Sequence, residues 1–204
     1  MGFYSQVIFP HLCDFLLGQP PIARRRRELL ANASGEVLEI GFGTGLNLPH
    51  YPDRVRKLTA VDLSPGMHRL ARRRIRRSSI KVEHRALSSE HLPFGDGTFD
   101  CAVSTFTLCS VAGVGQALAE VHRVLRPGGL FLFLEHGLSP DPGVQKWQRR
   151  LNRLEMLIAD GCHLDRDMAA LIGAQPFSSL QSHTFYLEKT PPTLGYIFQG
   201  STMK

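Results

Sequence analysis

The stretch Val37 to Asn47, V-L-E-I-G-F-G-T-G-L-N, restricts what this chain can fold into more than any other. Glu36 to Ile40 is short, largely apolar and stopped by a glycine, the pattern of a buried strand. Gly41, Gly43 and Gly45 then alternate with other residues, so the backbone can turn sharply and admit a ligand where a Cβ would stand. A dinucleotide loop is spaced G-x-G-x-x-G, and its third glycine would fall at Leu46. The pattern here is E-x-G-x-G-x-G, with acidic Glu39 inside the strand. A loop opening onto a helix favours anions. An acid beside it argues against a diphosphate and for a ligand that carries an ammonium group.

Lys57 to Val61 reads as a second strand and ends at Asp62. In a doubly wound sheet an acid at that place accepts hydrogen bonds from both ribose hydroxyls. Its competing role, N-cap of the next helix, is better filled by Ser64-Pro65. With these residues the chain resembles the class I S-adenosylmethionine-dependent methyltransferases, whose first motif is the acid-plus-three-glycine loop and whose second is this acid. The resemblance extends from about Glu36 to Gly137. Within it, Ala86 to Phe94 resembles the family's adenine-binding segment, with Ser88 where an aspartate is usual, and His122 to Gly129 (H-R-V-L-R-P-G-G) resembles the turn before strand five.

The resemblance implies an α/β fold: a doubly wound, mostly parallel seven-stranded sheet with an antiparallel last strand. N-terminal lid helices would occupy residues 1–34 and the S-adenosylmethionine-binding domain residues 35–204, in one globular unit. The chain's own pattern agrees in outline. Strands are expected at 36–40, 57–61, 80–84, 99–104 and 130–135, with helices at 64–77 and 115–125 between them. Further helices are expected at 144–159 and 165–172, and a closing strand pair at 182–187 and 193–201. At the N-terminus Pro10 interrupts an apolar run, predicting a kinked helix over residues 2–18, followed by a second over 21–33.

Composition sets the remaining bounds. The chain has 204 residues, 43% of them hydrophobic and 21% charged, enough for one domain with a proper core. No apolar run is long enough to span a bilayer, and no secretory leader is legible. This reads as a cytoplasmic protein. Its four cysteines, Cys13, Cys101, Cys109 and Cys162, show no C-x-x-C pairing or zinc spacing, so reduced thiols and no metal are expected. The formal charge of +6 gathers at Arg24 to Arg27 and on the 64–77 helix. These runs read as solvated helix faces, or as a basic face for peripheral membrane contact through the apolar, Arg-rich N-terminal segment. Nucleic acid is not expected, because no aromatics are interleaved to stack bases.

The resemblance assigns cofactor contacts to Glu39, Gly41, Phe42, Gly43, Gly45 and Asn47, to Asp62, Leu63 and Met67, and to Ser88, Ser89 and Thr105. Substrate is expected outside the carboxyl ends of the strands, with Tyr4, Phe106, Cys109 and Asp160 as contacts. T-L-C-S-V at 107–111, Glu135-His136, and D-G-C-x-L-x-R at 160–166 look like the alkyl thiol S-methyltransferases. That resemblance implies a small, lipophilic thiol as acceptor of the methyl group, leaving S-adenosylhomocysteine. Phosphatidylethanolamine N-methylation and quinone C-methylation are the alternatives within the class. A nicotinamide-dependent dehydrogenase and a non-catalytic binding module are those outside it. A thiol needs deprotonating, and His136, His163 and His11 are the candidate bases. Residue pattern alone leaves the acceptor atom and the oligomeric state open.

Overall fold

Alternate residues of β1 (Gly35–Ile40) serve two cores, and this divides the molecule into layers. In the computed structural model, which describes residues 2–204, Leu38 and Ile40 join one buried cluster and Val37 the other. Side chains alternate across a strand, so a strand buried on both sides must be covered on both faces. β2 (Val55–Val61) and β4 (Phe99–Thr105) flank β1 in parallel, and β3 (Lys81–Arg85) extends the sheet beyond β2. β5 (Leu125–His136) lies parallel to β4, sending Phe131 and Phe133 to one core and Leu132 and Leu134 to the other.

The last two strands, β6 (Ser178–Tyr186) and β7 (Tyr196–Met203), close the sheet in the order β3-β2-β1-β4-β5-β7-β6. β7 inserts between β5 and β6 and runs antiparallel to both. The seven-stranded, mostly parallel architecture with an antiparallel last strand is therefore present.

Helices cover both faces. α2 (Pro20–Leu30) and α3 (Pro65–Arg77) bury Leu29, Leu30 and Ala71 on the face that receives Val37. α4 (Val114–Val124) and α6 (Met168–Gly173) bury Leu118, Val121, Met168 and Ile172 on the other. α1 (Phe9–Leu17) precedes them, entered through a π-helical turn at Tyr4–Ile8. Pro10 stands in its first turn, where a missing N–H costs nothing, so the expected kink is a change of helix type. α5 (Pro142–Ile158) starts at Asp141, whose carboxylate accepts from the N–H groups of Gly143 and Val144 at 2.7 and 3.1 Å.

Two boundaries differ from expectation for local reasons. α6 begins at Met168, capped by Asp167 rather than Asp165, because the Asp165 carboxylate faces His163 Nδ1 at 3.9 Å. The closing strands are separated by a single helical turn, α7 (Pro192–Gly195), for which Pro192 supplies the preset φ. No helix among the described residues is long and apolar enough to cross a membrane.

β7 is confined at Gly200, where an added Cβ would collide with the Gln181 carbonyl oxygen and press on the Phe133 ring at 2.7 Å. Gly200→Ala is expected to destabilise the protein by roughly 1–3 kcal/mol, the usual cost of overpacking. Urea unfolding with an unchanged midpoint would contradict this.

Candidate functional site

The sheet order reverses at β1, whose neighbours β2 and β4 belong to opposite halves, so the loops leaving their carboxyl ends diverge around a hollow. A cavity of about 470 Å³ lies there. The glycines of the first loop divide the work. At Gly41, with φ +64°, a Cβ would overlap the Thr107 side chain, so this glycine lets the loop after β4 come close. At Gly43, with φ +58°, a Cβ would meet only the Gly41 carbonyl oxygen at 3.8 Å, leaving backbone open to the cavity. Gly45, with φ +79°, packs against Phe42 and Leu48 and does not line the cavity.

Asp62 ties the first loop to the end of β2. One carboxylate oxygen accepts from the Gly43 N–H at 2.8 Å and the other from the Ser64 N–H at 2.7 Å. Burial nevertheless raises its pKa. The adjoining wall is formed by Leu63, Met67, Ser88 and Ser89. Ser88 Oγ also accepts from the Glu90 N–H at 3.2 Å, which orders the segment.

Beneath the loop lies a buried polar network. Asn47 accepts from Arg26 Nη1 at 2.7 Å through its carbonyl oxygen and donates through its amide to Glu39 Oε1 at 2.9 Å. Tyr51 donates to the other Glu39 oxygen at 2.7 Å. Thr105 Oγ1 accepts from Arg26 at 2.6 Å and from Asn47 at 3.1 Å. Burial pushes the Glu39 carboxyl up to about 7, against the pull of Tyr51, Asn47 and Arg26. Burial likewise brings Arg26 down to about 10. Arg26 lines the cavity, is only 4% exposed, and keeps an Nε with no hydrogen-bond partner. Reading the sequence as an arginine run on a solvated face missed it. Its position between Ile22 and Leu29–Leu30, the buried residues of the same helix, was the available signal.

Glu135 organises the loop after β4. Its carboxylate accepts from Ser104 Oγ at 2.6 Å and from the N–H groups of Thr107 and Leu108 at 2.9 and 3.0 Å. Arg166 donates to the Leu108 and Val111 carbonyls from the other side. Between these clamps Phe106 is held at φ +54° and lines the cavity. A non-glycine residue in this region is strained and persists only where its surroundings over-determine it. Asp160, at φ +47°, is the second such residue in the wall.

α1 forms the roof. Phe9, Cys13 and Leu17, one turn apart, face the cavity. Asp14 anchors the helix, accepting from Thr44 Oγ1 at 2.6 Å and from both Arg74 terminal nitrogens at 2.7 and 3.2 Å. Tyr4 lies outside the cavity lining, and its hydroxyl donates to the Ile158 carbonyl at 2.5 Å. Ser5 donates to Asp160 Oδ1 at 3.0 Å.

The histidines are placed elsewhere. None of His136, His163 and His11 lines the cavity. His136 is buried behind the β5 end with Nδ1 3.9 Å from Cys162 Sγ. His163 faces Asp165, and His11 is exposed on α1. Cys109 is also buried off the cavity, its thiol pushed up by hydrogen bonding to Cys162 and by burial. The cavity lining therefore includes none of these four residues, nor Tyr4. The tight clamp on residues 104–108 turns Cys109 inward, and the carboxyl end of β5 is occupied by Glu135 holding that clamp.

A family model described as a methyltransferase domain matches residues 38–133. Thiol S-methyltransferase TMT1B of Rattus norvegicus is 34% identical over 213 residues, covering 94% of this chain and 82% of the relative. Phosphatidylethanolamine N-methyltransferase of Cereibacter sphaeroides is 33% identical over 156 residues, covering 74% and 75% respectively. Among solved structures, a Thermotoga maritima S-adenosylmethionine-dependent methyltransferase has the same fold. Its TM-score is 0.70 at 18% identity, covering 98% of each chain.

The buried Glu135 makes stability depend on pH. Its carboxyl titrates near 7 in the folded chain because burial raises it from 4.5. The native state therefore binds the extra proton between those values, and the stability this confers is lost as pH rises through about 7. Relative to wild type, Glu135→Gln should gain on the order of 1–3 kcal/mol between about pH 5 and 7.5. Parallel urea titrations for the two proteins at both pH values would refute this.

Proposed function

Since the chain belongs to the class I S-adenosylmethionine-dependent methyltransferases and uses S-adenosylmethionine as its cofactor, we propose that it methylates the sulfur of a small, lipophilic thiol. The observation that carries this is the roof of the cavity. Phe9, Cys13 and Leu17 line it together with Phe106, Val111 and Ala112, an apolar share of the same cavity that the glycine loop borders. The similarity to a thiol S-methyltransferase over nearly the whole chain favours sulfur as the acceptor atom.

The chain's residues fit the cofactor. Gly43 leaves backbone open, and the orphaned Arg26 Nε offers a buried cationic donor for a carboxylate. In this reading Arg26, Asn47 and Glu39 hold the zwitterionic amino-acid end, with Gly41, Phe42 and Thr105 around it. Asp62 holds the ribose, and Leu63, Met67, Ser88 and Ser89 enclose the adenine. Gly45 acts indirectly, by shaping the loop.

S-adenosylmethionine supplies the electrophile, a methyl group on a sulfonium. The protein aligns the thiol, desolvates it and excludes water, for which α1 serves as a lid over residues 35–204. Phe106 and Asp160, both held in strained backbone, fix the acceptor wall. The acceptor proton leaves to solvent before attack, since the thiolate is the nucleophile and its fraction is set by the thiol's own pKa against the ambient pH. The outer faces of α1 and α5 bear exposed Phe15 and Leu157, at 68% and 76%. Peripheral contact with a lipid surface through these faces would bring a lipophilic acceptor to the roof.

Two measurements test the reading. Mass spectrometry should detect S-methyl product and S-adenosylhomocysteine with alkyl thiols. Turnover only with amines or phosphatidylethanolamine would overturn the sulfur assignment. With no histidine at the cavity, the inflection of the rate with pH should follow the thiol's own pKa as the acceptor is varied. An inflection fixed at one pH for every thiol would replace solvent with a protein base. For the cofactor, Asp62→Ala should weaken S-adenosylhomocysteine binding at least ~10-fold by calorimetry, a loss of about 1.4 kcal/mol or more. Unchanged affinity would reject Asp62 as the ribose ligand.

A further inference from the structure

Three loops that the sequence keeps far apart place a thiol, an imidazole and a second thiol together. Cys109 follows β4, His136 ends β5, and Cys162 lies between α5 and α6. One ligand atom from each lies within 4.8 Å of the others. We propose that Cys109, His136 and Cys162 form a binding site for a thiophilic divalent cation, of which zinc is the best match.

The donor set carries the chemistry. Two thiolates and one imidazole suit a tetrahedral d10 ion, with sulfur about 2.3 Å and nitrogen about 2.0 Å from the metal. A tetrahedron with those bonds sets its donors about 3.5–3.8 Å apart. His136 Nδ1 already stands 3.9 Å from Cys162 Sγ, so only a small contraction is needed. Nδ1 faces Cys162 Sγ, while Nε2 is buried and makes no hydrogen bond. A metal-bound histidine is held by a carbonyl or carboxylate at its second nitrogen, and the Thr193 backbone and Glu155, which act on this ring, are the groups available for that place.

The scaffold is also in place. The His163 N–H donates to the Cys109 carbonyl at 2.8 Å, and Arg166 donates to the Leu108 and Val111 carbonyls of the same loop. Both cysteine loops therefore hold their relative position without the ion. Three protein ligands leave one tetrahedral position for water or a small donor. Cys162 is partly exposed, which gives an entry path. Ser110, beside Cys109, and Asp160, two residues before Cys162, line the cavity. A bound ion would thus clamp together two loops of the acceptor wall. This site does not depend on which acceptor the enzyme uses.

The full chain, purified with a phosphine reductant and without chelator, should carry close to one zinc by plasma mass spectrometry. After chelation, Co²⁺ titration should give thiolate-to-cobalt charge-transfer absorption at one ion per chain. Cys162→Ser, the least buried change, should abolish that absorption with far-ultraviolet circular dichroism unchanged, and Cys13→Ser should retain it. Substoichiometric zinc with no cobalt charge-transfer band would overturn the proposal. So would a band that survives Cys162→Ser, or a metal-free protein linked by a 109–162 disulfide under the same reductant.

Discussion

The fold closes around a buried charge system that joins the N-terminal helices to the sheet. Arg26 reaches from α2 to Asn47 and Thr105, and Asn47 passes the contact to Glu39 in β1. Taking a guanidinium and a carboxylate out of water costs several kcal/mol per ion unless hydrogen bonds replace hydration. Here nearly every replacement comes from a different element: a helix, a strand end and two loops. Removing any one of them would strand a charge. The network therefore specifies how α2 docks, and α1, tied to Arg74 and Thr44 through Asp14, follows.

Much of this was legible in the sequence because it is periodic or chemically obligatory. The two-sided burial of β1 and β5 shows as near-continuous apolar runs, and the loop after β1 needs glycines where φ is positive. The acid closing β2 marks itself by its place in the motif. These features are local, so spacing reveals them. Gly41 is an instructive case. The sequence suggested close approach of a ligand, whereas the nearest obstacle to a Cβ is Thr107 of the chain itself.

What stayed hidden depends on long-range convergence. Arg26 looks like its three neighbours in an arginine run, and only its helical spacing from Ile22 and Leu29–Leu30 marks it as the one that α2 buries. The histidines attracted attention for their pKa, yet pKa says nothing about where a side chain points. Cys109, His136 and Cys162 have no recognisable metal spacing because the ligands come from three connections of a doubly wound sheet. Such clusters form wherever a topology brings strand ends together, and linear spacing cannot register them. Glu135 was legible as a strand-end acid, but its occupation by backbone N–H groups follows from the turn at Phe106.

The two sides of the cavity differ in kind, and the difference bears on selectivity. The side around Glu39, Asn47 and Asp62 is built of directional hydrogen bonds, which reject a ligand that leaves them unpaired by large factors. The lining residues from α1 and from the loop after β4 include the apolar Phe9, Leu17, Phe106, Val111 and Ala112. A hydrophobic pocket discriminates one methylene from none by only about 1–3 kcal/mol. On the proposed reading, an enzyme so constructed would be exacting about its methyl donor and graded about a thiol acceptor, preferring acceptors in order of apolar bulk. The exposed apolar residues of α1 continue that preference outward, since the helix that roofs the chamber also offers Phe15 and Leu16 to the surroundings. On the proposed reading, acceptor choice depends as much on which lipophilic molecules reach the roof as on what the cavity holds.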